Sequence, residues 1–339
     1  MILEAIYQNV RLKEDIGVIK HYVFLLLCCP KISTKELANR LFLPIPIVAA
    51  IKNELKKKNL VTDMNGIVVT PKGELVIRQE LKIESVDMKR YLQIITMSNC
   101  HELFEDIEVI FENRPAVDVT IDQAKCTVAT AFKRAQFMLQ QREIITSKLL
   151  CVGDDDLVSV ACSLLYKYIT HGKGADFQIT VVEKDQRVID YIERISQDYQ
   201  LDIICIPHDL RNPLKTTLQG QFDCVITDPP YTFNGLQLFV TRALLALKKN
   251  AESAIFLSYP HRPFAERLRM QEFFISNNII INSVIGNFNR YEGAQILGGV
   301  SDFYHLKTTV VKDFEQDFYE ELIYTRELKL QQHKKDCTA

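Results

Sequence analysis

Residues 148–161 read KLLCVGDDDLVSVA. Four apolar residues, Leu149 to Val152, run into Gly153; three aspartates follow, and apolar residues then recur at helical spacing from Leu157. An apolar run, a glycine turn and a helix open many nucleotide-binding α/β units, where the loop usually offers glycines and a helix N-terminus to phosphate. Asp154, Asp155 and Asp156 would repel a phosphate. The loop instead suits a ligand that carries positive charge.

Strand and helix patterns alternate downstream. Strands are expected at 148–152, 177–182, 202–207, 222–227, 253–259, 279–288 and 303–310. Helices are expected in the first five intervals, among them LVSVACSLLYKYI, DQRVIDYIERISQDY and LQLFVTRALLALKK. Such alternation predicts a mostly parallel sheet with helices on both faces. Only the loop NRYEGAQILGGVSD joins the last two strands, which predicts an antiparallel pair at one edge. The expected fold is α/β, a Rossmann-like, methyltransferase-type seven-stranded sheet. Ligands in such sheets sit at the carboxyl ends of the strands.

The first 85 residues differ in pattern. GVIKHYVFLLLCCP is an apolar helix stopped by Pro30, and ISTKELANRL carries Ser33 and Glu36 at capping-box spacing. PIPIVAAIKNELKKKNL is a third helix, and VTDMNGIVVTPKGE a hairpin turning at Asn65-Gly66. Three helices and a hairpin predict a winged-helix domain. Lys56, Lys57 and Lys58 on its third helix offer DNA binding as one role, and packing against its own chain or a twin subunit as the other. The expected divisions are 1–85 (winged helix), 86–146 (helical connector), 147–315 (Rossmann-like domain) and 316–339 (C-terminal tail). In the connector, Asp118 and Asp122 read as parts of a solvated linker, the alternative being that they face a site.

Residues 1–80 hold 12 Lys/Arg against 8 Asp/Glu, whereas residues 81–339 hold 29 against 35. An acidic main domain argues against nucleic acid as its ligand and for a cationic small molecule. Nine cysteines without a C-x-x-C pair suggest a reduced, cytoplasmic protein with no zinc site. No secretory leader, membrane span, metal site or permanently bound cofactor is expected.

Acids recur where the expected strands end. Glu183 closes the second strand, placed to bind ribose hydroxyls, and Asp209 closes the third, placed to accept from an adenine amino group. Asp228-Pro229-Pro230-Tyr231 closes the fourth. Two prolines hold that turn extended, projecting the carboxylate and a proline carbonyl toward an amine, with Tyr231 as an aromatic wall. Amino-methyltransferases share D-P-P-Y but pair it with a glycine-rich first loop that accepts a methionine carboxylate. Beside G-D-D-D one like-charge contact at 4 Å costs ~4 kcal/mol at an effective dielectric of ~20. Decarboxylated S-adenosylmethionine lacks that carboxylate and carries an amine.

With these motifs, G-D-D-D-L (153–157), H-D-L-R-N-P-L (208–214), D-P-P-Y-T (228–232) and YEGAQILGG (291–299), together with DVTIDQ (118–123), the chain resembles the branched-chain polyamine synthases. The resemblance implies a winged-helix domain joined to an aminopropyltransferase domain. It also implies decarboxylated S-adenosylmethionine as co-substrate, the secondary N4 amine of spermidine as acceptor, and 5′-methylthioadenosine as by-product. In that reading Asp156 and Asp228 hold the acceptor amine and take its proton, with Tyr231 and Pro229 lining its channel. Asp154 and Asp155 grip ammonium groups of the donor or polyamine, Gly153 shapes the loop, Glu183 binds ribose and Asp209 adenine. His208 is structural or a base, and the loop 289–301, with Gly293, Gly298 and Gly299, is a lid or a simple connector. A homodimer is expected. The alternatives are an S-adenosylmethionine-dependent amino-methyltransferase acting on nucleic acid, and a polyamine-sensing winged-helix regulator.

Overall fold

The computed structural model describes all residues except 14–15, 99–100, 142–144, 146, 174–176, 250–252, 294–298, 309, 313, 315–316 and 337–339, and only the backbone of 101–102 and 332–336. Gly298 lies outside the described residues. The chain divides into two compact units, Met1–Thr96 with Ile169–His171, and the remainder. Among the described residues no helix is long and apolar enough to cross a membrane.

The first unit contains α1 (Ile2–Val10), α2 (Gly17–Cys28), α3 (Thr34–Leu41), α4 (Ile45–Lys57), a hairpin of β1 (Val61–Asp63) and β2 (Ile67–Val69), then α5 (Pro71–Leu81) and α6 (Met88–Ile95). The expected order of three helices and a hairpin is present as α2, α3, α4 and β1–β2. Tyr22, Leu37, Val48, Ile51, Leu55 and Ile67 are buried in it. Ser33 accepts from the Glu36 N–H at 3.1 Å, so α3 starts where its cap lies. The hairpin turns at Gly66, whose φ is +122°, and a Cβ there would lie 2.1 Å from the Lys31 carbonyl oxygen. Only glycine fits that crossing.

The second unit opens with α7 (His101–Glu112) and α8 (Val128–Gln140). Then follow β3 (Lys148–Val152), α9 (Val158–Thr170), β4 (Gln178–Glu183), α10 (Gln186–Asp198), β5 (Ile203–Pro207), β6 (Cys224–Thr227), α11 (Phe233–Ala246), β7 (Ser253–Tyr259), α12 (Phe264–Ser276), β8 (Ile280–Arg290), β9 (Val300–Thr308) and α13 (Thr325–Asp336). The sheet order is β5-β4-β3-β6-β7-β9-β8. β5, β4, β3, β6 and β7 run parallel, while β9 lies antiparallel between β7 and β8. The central strands are buried along their length except at Lys148, and mostly apolar, as a parallel sheet covered on both faces requires.

One expected helix is missing. Between β5 and β6 the chain forms only a 3-10 turn, Thr216–Leu218. Pro213, three residues ahead of that turn, cannot donate to a helical ladder and biases Asn212 toward extended backbone.

Candidate active site

The strand order reverses at β3. The chain moves outward through β4 and β5, then returns to place β6 on the other side of β3, and ligand crevices open at such a switch point. A cleft of about 570 Å³ lies there, lined by Gly153, Asp155, Glu183, Lys184, His208, Asp209, Asp228 and Pro230 from the strand ends. Ile121, Asp122, Gln123, Phe239, Ile323 and Tyr324 close its sides.

Gly153 adopts φ +73°, a left-handed turn that a side chain would strain. This turn lets the Asp154 N–H donate to Glu183 Oε2 at 2.9 Å. Glu183 Oε1 takes the Lys184 and Asp185 N–H groups at 2.7 and 2.9 Å. Burial raises the Glu183 carboxyl above its ordinary range, against the pull of these N–H donors.

The three aspartates separate by role. Asp154 points away from the cleft: its Oδ1 accepts from the Val158 N–H at 2.8 Å and its Oδ2 from the Ser159 N–H at 3.2 Å. It therefore satisfies the orphan N–H groups of the first turn of α9, which corrects the expectation that it grips an ammonium group. Burial pushes its carboxyl up to about 7, opposed by those bonds. Asp154→Ala is expected to lower stability by ~1–2 kcal/mol, whereas Asp154→Asn keeps most of it and leaves ligand affinity unchanged. Chemical denaturation and calorimetric titration check this; a selective loss of affinity in Asp154→Asn would restore the ligand role.

Asp155 faces the cleft, half-buried, and among the described residues has no hydrogen-bond or ion-pair partner. Burial first, then the charges of Asp156, Glu183, Asp228 and Asp154, hold its carboxyl well above the usual range. Asp156 turns inward, 3% exposed. Its Oδ1 accepts from the Cys126 N–H and its Oδ2 from Arg134 Nη1, both at 2.6 Å. It does not line the cleft, so its expected place as a direct amine holder is not seen: it anchors a guanidinium instead.

Asp228 combines the two situations. Its Oδ2 accepts from Arg134 Nη2 at 2.9 Å and from the Tyr291 hydroxyl at 2.5 Å. Among the described residues its Oδ1 is buried without a partner. Burial pushes this carboxyl up to about 7; Arg134 pulls it down and Asp156 pushes it up. Asp228 and Pro230 line the cleft, whereas Pro229 and Tyr231 do not. The Tyr231 ring packs edge-on against Tyr259 and Tyr291 at 6.1 and 6.3 Å between centroids. Pro230, not Pro229 or Tyr231, is thus the motif's wall residue.

At the far end, Asp209 Oδ2 pairs with Lys184 Nζ at 2.7 Å and its Oδ1 accepts from the Arg211 N–H at 3.0 Å. Burial acts against it, but the Lys184 bond and the Arg211 N–H hold the carboxyl below its ordinary range. Among the described residues His208 Nε2 is buried without a partner, and burial lowers its pKa, which favours the neutral ring. Asp122 is no solvated linker residue: it lines the cleft, accepts from the Thr325 N–H at 2.7 Å, and is raised mainly by burial. Asp118 instead stays local, accepting from the Thr120 N–H at 2.8 Å. Ile323 and Tyr324 come from the expected tail, held by the Thr232 hydroxyl donating to the Ile323 carbonyl at 2.6 Å and by Arg211 bound to both Glu327 oxygens.

Arg134, Lys184 and Tyr324 lie outside the sequence motifs, and Tyr291 and Pro230, though inside them, carry no role of their own in the sequence reading. Arg134 sits in the amphipathic pattern of α8, where an arginine reads as a solvated residue, yet it is 1% exposed. A signal existed for Pro230, since period-2 alternation after β6 puts it on the side of Asp228.

Fold and cleft together define a class, a methyltransferase-type α/β domain whose switch-point cleft is lined with carboxylates and suited to a cationic ligand. The model of the branched-chain polyamine synthase A C-terminal domain matches residues 102–337, and the chain belongs to that family of aminopropyltransferases. An N(4)-bis(aminopropyl)spermidine synthase of Methanocaldococcus jannaschii is 30% identical over 254 residues, spanning 73% of this chain and 70% of the relative. An uncharacterized protein of the same organism is 36% identical over 282 residues, spanning 80% and 68%. The branched-chain polyamine synthase of Thermus thermophilus, solved with N4-aminopropylspermidine and 5′-methylthioadenosine, shares the fold at 19% identity, with a TM-score of 0.61 over 96% of both chains.

Proposed function

We propose that this chain transfers 3-aminopropyl groups from decarboxylated S-adenosylmethionine to the N4 amine of spermidine. The observation that carries the reading is the pairing, in one cleft, of a buried unpartnered Asp228 Oδ1 with the unpartnered Asp155 carboxylate. The names of the relatives and the family membership support it.

The acceptor nitrogen must first lose its proton, because an ammonium has no lone pair. Asp228 Oδ1 takes that proton. The nitrogen lone pair then attacks the CH2 bound to the sulfonium; the C–S bond breaks and its electrons return to sulfur, leaving neutral 5′-methylthioadenosine. Holding both reactants in one cleft supplies much of the acceleration. Glu183 binds the ribose hydroxyls, Asp209 the adenine amino group, and Asp155 an ammonium group of donor or polyamine. A donor with a methionine carboxylate would meet Asp155 and its neighbours at a cost of ~4 kcal/mol per contact. That cost disfavours the nucleic-acid amino-methyltransferase.

The test is incubation with spermidine and decarboxylated S-adenosylmethionine, read by mass spectrometry. The expected result is release of 5′-methylthioadenosine with gains of one and then two aminopropyl units. Transfer of methyl groups from ordinary S-adenosylmethionine to nucleic acid, with spermidine untouched, would overturn the reading.

A further inference from the structure

Asp228 is held on one side only. The two bonds to its Oδ2, from Arg134 Nη2 and the Tyr291 hydroxyl, occupy both lone-pair directions of that oxygen. Oδ1 is buried and, among the described residues, left without a donor. The two holders are themselves fixed. Arg134 is fully enclosed, with Nη1 on Asp156 Oδ2 at 2.6 Å and Nε on Asn289 Oδ1 at 2.8 Å. The Tyr291 hydroxyl also meets Ser301 Oγ at 2.9 Å, and its backbone bridges to Cys126. Neither Arg134 nor Tyr291 lines the cleft. They reach Asp228 from α8 and from the end of β8, behind it.

We propose that Arg134 and Tyr291 are positioning residues that saturate one oxygen of Asp228 and reserve the other for the proton of the reacting amine. The inference rests on the reading of Asp228 as the group that takes this proton. The amine N–H bond breaks, the proton moves to Oδ1, and Oδ2 keeps its two donors throughout. Without those donors the carboxyl can rotate and carry its proton on the oxygen turned from the acceptor. The charged and titratable groups facing Asp228 are Arg134 on α8, Asp155 and Asp156 after β3, Tyr231 after β6, and Tyr291 after β8. Arg134 and the Tyr291 hydroxyl favour the ionised carboxylate; the two aspartates favour the protonated acid.

Tyr291→Phe removes one donor from Oδ2 and leaves the guanidinium in place. The expected result is a fall in kcat of about tenfold at neutral pH, the scale of one hydrogen bond to a charged group, with an unchanged KM for the donor. The acid limb of the pH–rate profile moves to higher pH, because the lost bond had favoured the ionised form. Arg134→Lys moves it in the same direction. A carbon-13 NMR titration of aspartate-labelled protein, with the Asp228 signal assigned by Asp228→Asn, reads the same shift without turnover. An Asp228 titration and acid limb that stay put in Tyr291→Phe, in a protein that does transfer aminopropyl groups, would overturn the inference alone. A wild-type protein that transfers none, while the titration still moves, would instead overturn the functional reading and leave the positioning intact.

Discussion

Asp228→Asn is expected to cut aminopropyl transfer by about 10²–10⁴-fold, the usual worth of a positioned general base, while 5′-methylthioadenosine still binds. The geometry makes this replacement more severe than its size implies. Arg134 and the Tyr291 hydroxyl both donate to Oδ2, so the amide oxygen must turn to them. The amide NH2 then occupies the place of Oδ1, and a donor faces the donor it should accept from. No compensating rotation exists, because the reverse orientation would set the NH2 against a guanidinium. Steady-state kinetics and calorimetric titration with 5′-methylthioadenosine separate the two effects; loss of nucleoside binding in step with turnover would contradict the assignment. The wild-type pH profile follows from the same carboxyl, which burial pushes up to about 7. A base works only when ionised, so kcat/KM is fully present above that pH. It falls about tenfold per unit as pH drops below it.

Asp155→Asn carries the second large effect. Among the described residues Asp155 is the cleft acid without a partner, and a cationic tail can supply one. A hydrogen bond to a charged group is worth about 1.5–3 kcal/mol, so kcat/KM for decarboxylated S-adenosylmethionine with spermidine should fall by about 10–100-fold. Affinity for 5′-methylthioadenosine, which has no ammonium tail, should stay the same. Asp156→Asn should behave differently, because Asp156 meets Arg134 and the Cys126 N–H rather than the cleft. A parallel loss of nucleoside and donor affinity in Asp155→Asn would show that this carboxylate supports the loop instead.

Much of this architecture was legible in residues 148–232. Apolar runs ending in acids located the parallel strands and their carboxyl ends, and the switch-point rule placed the cleft where Gly153, Glu183, Asp209 and Asp228 converge. What sequence could not resolve was direction. In GDDD three adjacent carboxylates look equivalent, yet one ties down the first turn of α9, one faces the cleft and one binds a guanidinium. The choice depends on where α8 and α9 lie relative to β3, a tertiary fact. The same limit hid Arg134, which lies 94 positions from Asp228 in the chain, and the contribution of Ile323 and Tyr324 from the C-terminal segment. The lack of a helix between β5 and β6 has a local cause legible in the sequence, Pro213.

The position of the new bond decides whether the chain makes branched polyamines. NMR spectroscopy of the product formed from spermidine and decarboxylated S-adenosylmethionine distinguishes addition at N4 from addition at a terminal nitrogen. The expected product is a branched tertiary amine, followed by the quaternary ammonium. A linear tetraamine, or no coupling of aminopropyl to polyamine at all, would contradict it.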